Sequence, residues 1–168
     1  MDSHAILAEI PRLRRYARAL LGDRAAADDL VQDTLERAWS RIGQWRPGSD
    51  LRAWLFGIMH NLRVDQLRRP APPMRPVEDG DGEPPTPPTQ SDRLELQDLQ
   101  SALERLPAEQ REIVLLVALE DMSYAEIAAM LDIPCGTVMS RLARGRERLR
   151  QIMAGNADPH AARLRVVK

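Results

Sequence analysis

Five arginines fall between residues 141 and 150 of this 168-residue chain, against a single acid, Glu147. Guanidinium groups are planar, permanently charged forks that match phosphate oxygens and the major-groove edge of guanine, so the segment is suited to a polyanion. At about 100° per residue, Thr137, Arg141, Arg144 and Arg148 share one side of a helix, and Val138, Leu142, Leu149 and Met153 form an adjoining apolar side that anchors it. Thr137 and Ser140 stand near its start, where base contacts are made. An isolated basic run reads equally well as a solvated face. The residues before it shift that balance. Ser123-Tyr124-Ala125-Glu126 has the capping-box spacing, in which Ser and Glu satisfy each other's end-of-helix amides. That helix ends near Leu131, and Asp132-Ile133-Pro134 forms a tight turn into the arginine-rich helix. Two helices joined by a three-residue turn, the second basic, make a helix-turn-helix.

A second constellation lies earlier. Trp54, Asn61 and Arg68 follow one another at seven-residue steps with Asp65 alongside, so an aromatic ring, an amide and a cation line one helical side. Such a set can stack on an unpaired base, read its edge and hold its phosphate. Spacing alone also allows Trp54 to be a core residue.

The elements that must position these residues are helical. Apolar positions Leu13, Tyr16, Ala17 and Leu20 predict a helix that Pro11 opens and Gly22 ends. Asp23 then caps a second, with Leu30, Val31, Leu35, Ala38, Trp39 and Ile42 at three- and four-residue steps. Ser49 or Asp50 caps a third, whose inward stripe is Leu51, Leu55, Ile58 and Leu62. Further on, Leu94, Leu96, Leu99, Leu103 and Leu106 predict an amphipathic helix, and Pro107 opens another through Ile113, Val114 and Val117. No stretch alternates long enough to make a strand. The fold class is therefore all-α.

Between the two helical groups, eight of the thirteen prolines fall in residues 70–88, mixed with Gly80, Gly82 and acids. Such a stretch lacks backbone donors and apolar burial, so residues 70–91 are expected to be a flexible, acidic, Pro-rich linker. It divides two small helical domains, 1–69 and 92–153, and a tail, 154–168. Each half alone is small enough to be marginally stable. The net charge is −1, yet residues 1–69 hold twelve arginines against nine acids and residues 93–132 three arginines against nine acids. Nucleic-acid binding by so balanced a chain should need a partner.

Several classes drop out. The longest uncharged apolar run, Ile113 to Leu119, is seven residues, far short of the roughly 20 that span a bilayer. No signal-peptide pattern is visible, so a cytoplasmic location and no membrane insertion are expected. One cysteine, Cys135, and three scattered histidines make neither a disulfide nor an ordinary metal site. No nucleophile, base and orienting acid can be placed together, so neither catalysis, a cofactor nor a small-molecule substrate is expected.

Asp28-Asp29-Leu30-Val31-Gln32-Asp33-Thr34, Arg37-Ala38-Trp39 and Arg52-Ala53-Trp54-Leu55-Phe56 leading to Asn61 resemble region two of the extracytoplasmic-function (ECF) sigma factors. Leu106 to Arg111, Ser123 to Ala128 and Gly136 to Arg146 resemble region four, in the right order. The resemblance implies a bacterial transcription initiation factor that binds core RNA polymerase and promoter DNA, under control of an anti-sigma factor. It implies polymerase docking through Asp29, Gln32, Asp33 and Glu36. It implies opening and reading of the minus-ten element by Trp45, Trp54, Asn61 and Asp65, with Arg68 and Arg69 on the backbone. Thr137, Ser140, Arg141 and Arg144, with Arg146 and Arg148 beside them, would read the minus-thirty-five element.

Three residues depart from or bear on this pattern. Met139 stands where the family usually carries Lys or Arg. Gly145 replaces a frequent Ala, at a cost of about 1 kcal/mol of helix propensity. Cys135 opens the basic helix, where a redox role competes with the plainer expectation of a small buried side chain. Two rivals remain at this level: a helix-turn-helix regulator that binds duplex DNA as a dimer, and a sigma mimic that titrates an anti-sigma protein. The first leaves the Trp54–Asn61–Arg68 side unexplained; the second typically carries a receiver domain as well.

Overall fold

A computed structural model describes residues 3–69 and 89–156. Residues 70–88 of the expected linker and 157–168 of the expected tail lie outside these residues; 90–91 and 154–156, expected in the linker and the tail, are helical. The chain forms α1 (Ser3–Leu21), α2 (Arg24–Ser40), α3 (Leu51–Arg68), α4 (Gln90–Glu104), α5 (Ala108–Glu120), α6 (Tyr124–Leu131) and α7 (Cys135–Asn156), with a 3-10 turn at Ile42–Gln44. No strand occurs among the described residues.

The helix boundaries follow local chemistry. Gly22 adopts φ +73°, which ends α1 without Cβ strain. The Asp23 carboxylate then accepts from the Ala25 and Ala26 amides at 3.3 and 3.2 Å. Asp50 does the same for α3, accepting from the Ala53 amide at 3.2 Å. At α6 the capping box is closed: the Glu126 amide donates to Ser123 Oγ at 3.1 Å and the Ser123 amide to Glu126 Oε2 at 2.7 Å. Asp132, in the turn before α7, sits at φ 54°, a left-handed conformation that aspartate tolerates better than most residues.

Two expectations are corrected. Pro11 does not open α1, which already begins at Ser3; it lies inside the helix, where it cannot donate to the Leu7 carbonyl. The five leucines from Leu94 to Leu106 do not form one inward face. Leu94, Leu96 and Leu99 are 56, 59 and 38% exposed, and only Leu103 and Leu106 are buried. Leu94 and Leu96 are two residues apart, about 200° around a helix, so no single face can hold both.

The two halves share one core. Leu13, Leu20, Leu30, Leu55 and Phe56 from the first half join Leu103, Ile113, Leu116, Ile127 and Val138 from the second in a single cluster. Within it, Tyr16 meets Phe56 edge to face, with ring centroids 5.0 Å apart. α1 packs on α4 and α5, and α3 packs on α6. The described halves are therefore docked on one another, rather than standing apart as the linker composition suggests.

Polar contacts ring this joint. Arg15 Nη2 donates to the Leu119 carbonyl at 2.7 Å and to Glu120 Oε1 at 3.2 Å. Arg52 Nη1 donates to the Glu120 carbonyl at 2.8 Å, and Gln100 Nε2 to the Ala19 carbonyl at 3.3 Å. Arg111 Nη1 reaches the Leu20 carbonyl at 2.9 Å, and His60 Nδ1 lies 2.6 Å from Glu112 Oε1. Glu120 is buried with Oε2 unpaired, and burial raises its carboxyl above the ordinary glutamate value against the opposing pull of Arg15.

Candidate nucleic-acid interface

The rotation of α7 is fixed by packing. Val138 is fully buried and Leu142 nearly so, against α5 and α6. Gly145 is buried too: a Cβ there would stand 2.8 Å from Val114 Cγ2 and 3.4 Å from Gln110 Cβ. The glycine is thus what lets α5 and α7 approach, and counting it only as a loss of helix propensity misses that role. With this rotation Arg144, Arg146 and Arg148 are exposed, and Thr137 and Ser140 half-exposed. Arg141 departs from the expected outward row. Its Nη2 pairs with Glu109 Oε2 at 3.2 Å, and its side chain is only 28% exposed. Cys135 is exposed, not buried.

On α3, Asn61, Asp65 and Arg68 are exposed, as is Arg69 just beyond the helix end. Trp54 is half-buried and packs on the core. Trp45, between the 3-10 turn and α3, is also half-buried, and its Nε1 is buried without an acceptor among the described residues. Asp65 and Arg69 line a groove with Asp33 and Glu36 of α2. On α2 the expected docking row, Asp29, Gln32, Asp33 and Glu36, is exposed along its length, with Gln32 Nε2 donating to Glu36 Oε1 at 3.1 Å.

A cleft between the halves brings Arg68 and Arg63 of α3 together with Arg111 of α5 and Arg141 of α7. Burial, and after it the like charge of Arg111, lowers the Arg63 guanidinium below the ordinary arginine value. Among the described residues no group of three or more His, Cys, Asp and Glu side chains could hold a metal ion. No helix among them is long and apolar enough to cross a membrane.

Family models match both halves: the Sigma2 domain of PhyR over residues 6–60 and Sigma-70, region 4, over residues 96–149. The ECF RNA polymerase sigma factor EcfG of Rhodopseudomonas palustris (strain TIE-1) is 42% identical over 153 residues, covering 88% of this chain and 82% of that protein. This chain belongs to the ECF RNA polymerase sigma factors. Among solved structures, the sigma factor RpoE of Bartonella quintana, in complex with the anti-sigma factor NepR, superposes with a TM-score of 0.70 at 32% identity, over 90% of this chain and 95% of that one. CnrH, in complex with the cytosolic domain of CnrY, gives a TM-score of 0.68 at 29% identity, over 92% of this chain and 87% of that one.

A sigma factor binds core RNA polymerase and directs promoter-specific transcription initiation, which sets aside the dimeric duplex-DNA regulator. This sigma factor also carries an exposed aromatic ring on α2. Trp39, one of the apolar positions whose three- and four-residue steps predict α2, is 57% exposed. With Leu7 and Leu35 it lines an apolar groove that Glu36 also borders. The spacing carried the signal: Trp39 follows Glu36 by three residues, which places it on the side of the acidic row.

Proposed function

We propose that the three exposed sets divide the work of initiation. Asp29, Gln32, Asp33 and Glu36 dock on core polymerase, an acidic, amide-rich row suited to a basic partner surface. Asn61 and Asp65 read an unpaired base of the minus-ten element, flanked by Trp45 and Trp54, while Arg68 and Arg69 hold its backbone. Thr137, Ser140, Arg144, Arg146 and Arg148 engage the minus-thirty-five element, joined by Arg141 once it leaves Glu109. The two working domains are the helical halves α1–α3 and α4–α7, close to the expected 1–69 and 92–153, joined by the proline-rich segment between them. The protein acts in the cytoplasm, catalyses no reaction of its own and uses no cofactor. An anti-sigma factor restrains it, as the complexed states of the RpoE and CnrH relatives suggest.

The observation that carries this reading is the exposure of Asn61, Asp65 and Arg68 along one face of α3 in a chain that also holds a basic helix-turn-helix. An amide that reads an extruded base contributes only after strand separation, whereas guanidinium groups on α7 act on paired DNA. Permanganate footprinting with reconstituted holoenzyme, on duplex and on pre-melted templates, separates these steps. Asn61→Ala should lose promoter opening while keeping initial binding, and Arg144→Ala should lose initial binding on both templates. Equal loss at both steps for both variants would refute the division.

A further inference from the structure

Met139 is the one large apolar side chain of α7 that is exposed among the described residues, at 51%. The fold makes no use of it, because the core contacts of this part of the helix belong to Val138 and Leu142. Buried Val138, Leu142 and Gly145 fix the helix rotation, so the direction of Met139, about 100° around from Val138, is fixed as well. It stands in the second turn of the helix, where a recognition helix makes its base contacts. Arg146, seven residues on, shares its side of the helix and is exposed, a cation placed for phosphate. Nearby, Arg141 is engaged by Glu109 at 3.2 Å, and Ser140 Oγ donates to the Thr137 carbonyl at 3.1 Å. The exposed side chain at position 139 of α7 is therefore a thioether with no hydrogen-bond donor.

In the major groove the distinctive apolar feature is the C5-methyl of thymine; guanine presents two acceptors that a thioether cannot satisfy. We propose that Met139 is a specificity-determining residue that packs on a thymine methyl in the minus-thirty-five element. Methionine is suited to this by a flexible, polarisable side chain that adapts to a shallow apolar contact. The inference rests on the assignment of α7 to that element. A lysine or arginine at position 139 would instead favour guanine.

The test uses the full chain reconstituted with core RNA polymerase. A promoter library randomised across the minus-thirty-five hexamer yields the preferred element, and each thymine in it, on either strand, is then replaced by deoxyuridine, which lacks only the methyl. Removing one buried methyl should weaken wild-type binding about three- to five-fold at one thymine position. The same replacement should leave Met139→Ala unaffected, and Met139→Lys should select guanine there. Arg144→Ala is carried in parallel and should weaken binding to every element containing the hexamer. If deoxyuridine is neutral at every position for wild type, or the selected element holds no A·T pair, while Arg144→Ala remains defective, the Met139 proposal fails and the assignment of α7 stands. If Arg144→Ala is also without effect, the assignment of α7 itself falls.

Discussion

Gly145 shows how one missing carbon sets the distance between two helices. Alanine there would gain about 1 kcal/mol of helix propensity. Its Cβ would meet Val114 Cγ2 at 2.8 Å, and valine, branched at Cβ, has little freedom to turn aside. Overpacking of this kind costs about 1–3 kcal/mol, so Gly145→Ala should destabilise the protein by about 1 kcal/mol net in urea denaturation. Combining it with Val114→Ala should cost less than the two single changes added together; strict additivity would show that the close approach is not the cause. At this scale the sequence was legible where a residue acts on its own neighbours. Asp23, Asp50 and Ser123 cap the helices their positions suggested, because a cap is read within three residues. Arg141 and Cys135 were not legible in the same way. Whether a side chain on α7 faces solvent or Glu109 depends on how α5 lies against it, and no local pattern records that.

Among the elements, Arg111 ties helix ends together. Its Nε and Nη2 donate to the Leu103, Glu104 and Leu106 carbonyls at 2.7, 2.6 and 3.1 Å, and its Nη1 reaches Leu20 at 2.9 Å. These are carbonyls at the C-terminal ends of α4 and α1 and in the turn after α4, groups that lack intrahelical donors and attract cations. Arg111→Ala should cost about 3 kcal/mol in equilibrium unfolding, since charge-assisted bonds to several carbonyls vanish together. Arg111→Lys should recover less than half of that, because an ammonium cannot reproduce the fork. Full recovery by lysine would reduce the role of Arg111 to its charge. Helix existence and most helix ends were written in the sequence by Gly22, Pro107 and the caps. The early start of α1 was not, because Pro11 resembles a first-turn residue when its surroundings are unseen.

At the scale of the whole molecule, the joint between the halves places Arg68 and Arg141 on one cleft. Minus-ten and minus-thirty-five elements lie about 25 base pairs apart, on the order of 80 Å along B-DNA. One docked body cannot place α3 on the first and α7 on the second, so promoter engagement should separate the halves. Fluorophores at Gln66→Cys and Gln151→Cys, on a Cys135→Ser background, should report a short distance in the free chain and an increase of several tens of ångströms in holoenzyme on promoter DNA. An unchanged distance would exclude opening. The joint was the least legible feature of the chain: it depends on pairs such as Arg111 with Leu20, 91 residues apart, and the proline-rich segment between the halves drew attention to separation. Besides the Arg15–Glu120 and His60–Glu112 pairs, four hydrogen bonds across it among the described residues end on main-chain carbonyls, those of Ala19, Leu20, Leu119 and Glu120. Every amino acid carries that acceptor. Mutational drift at these four positions therefore leaves the acceptors in place, and the heritable instruction for closing the molecule is concentrated in the donors Arg15, Arg52, Gln100 and Arg111.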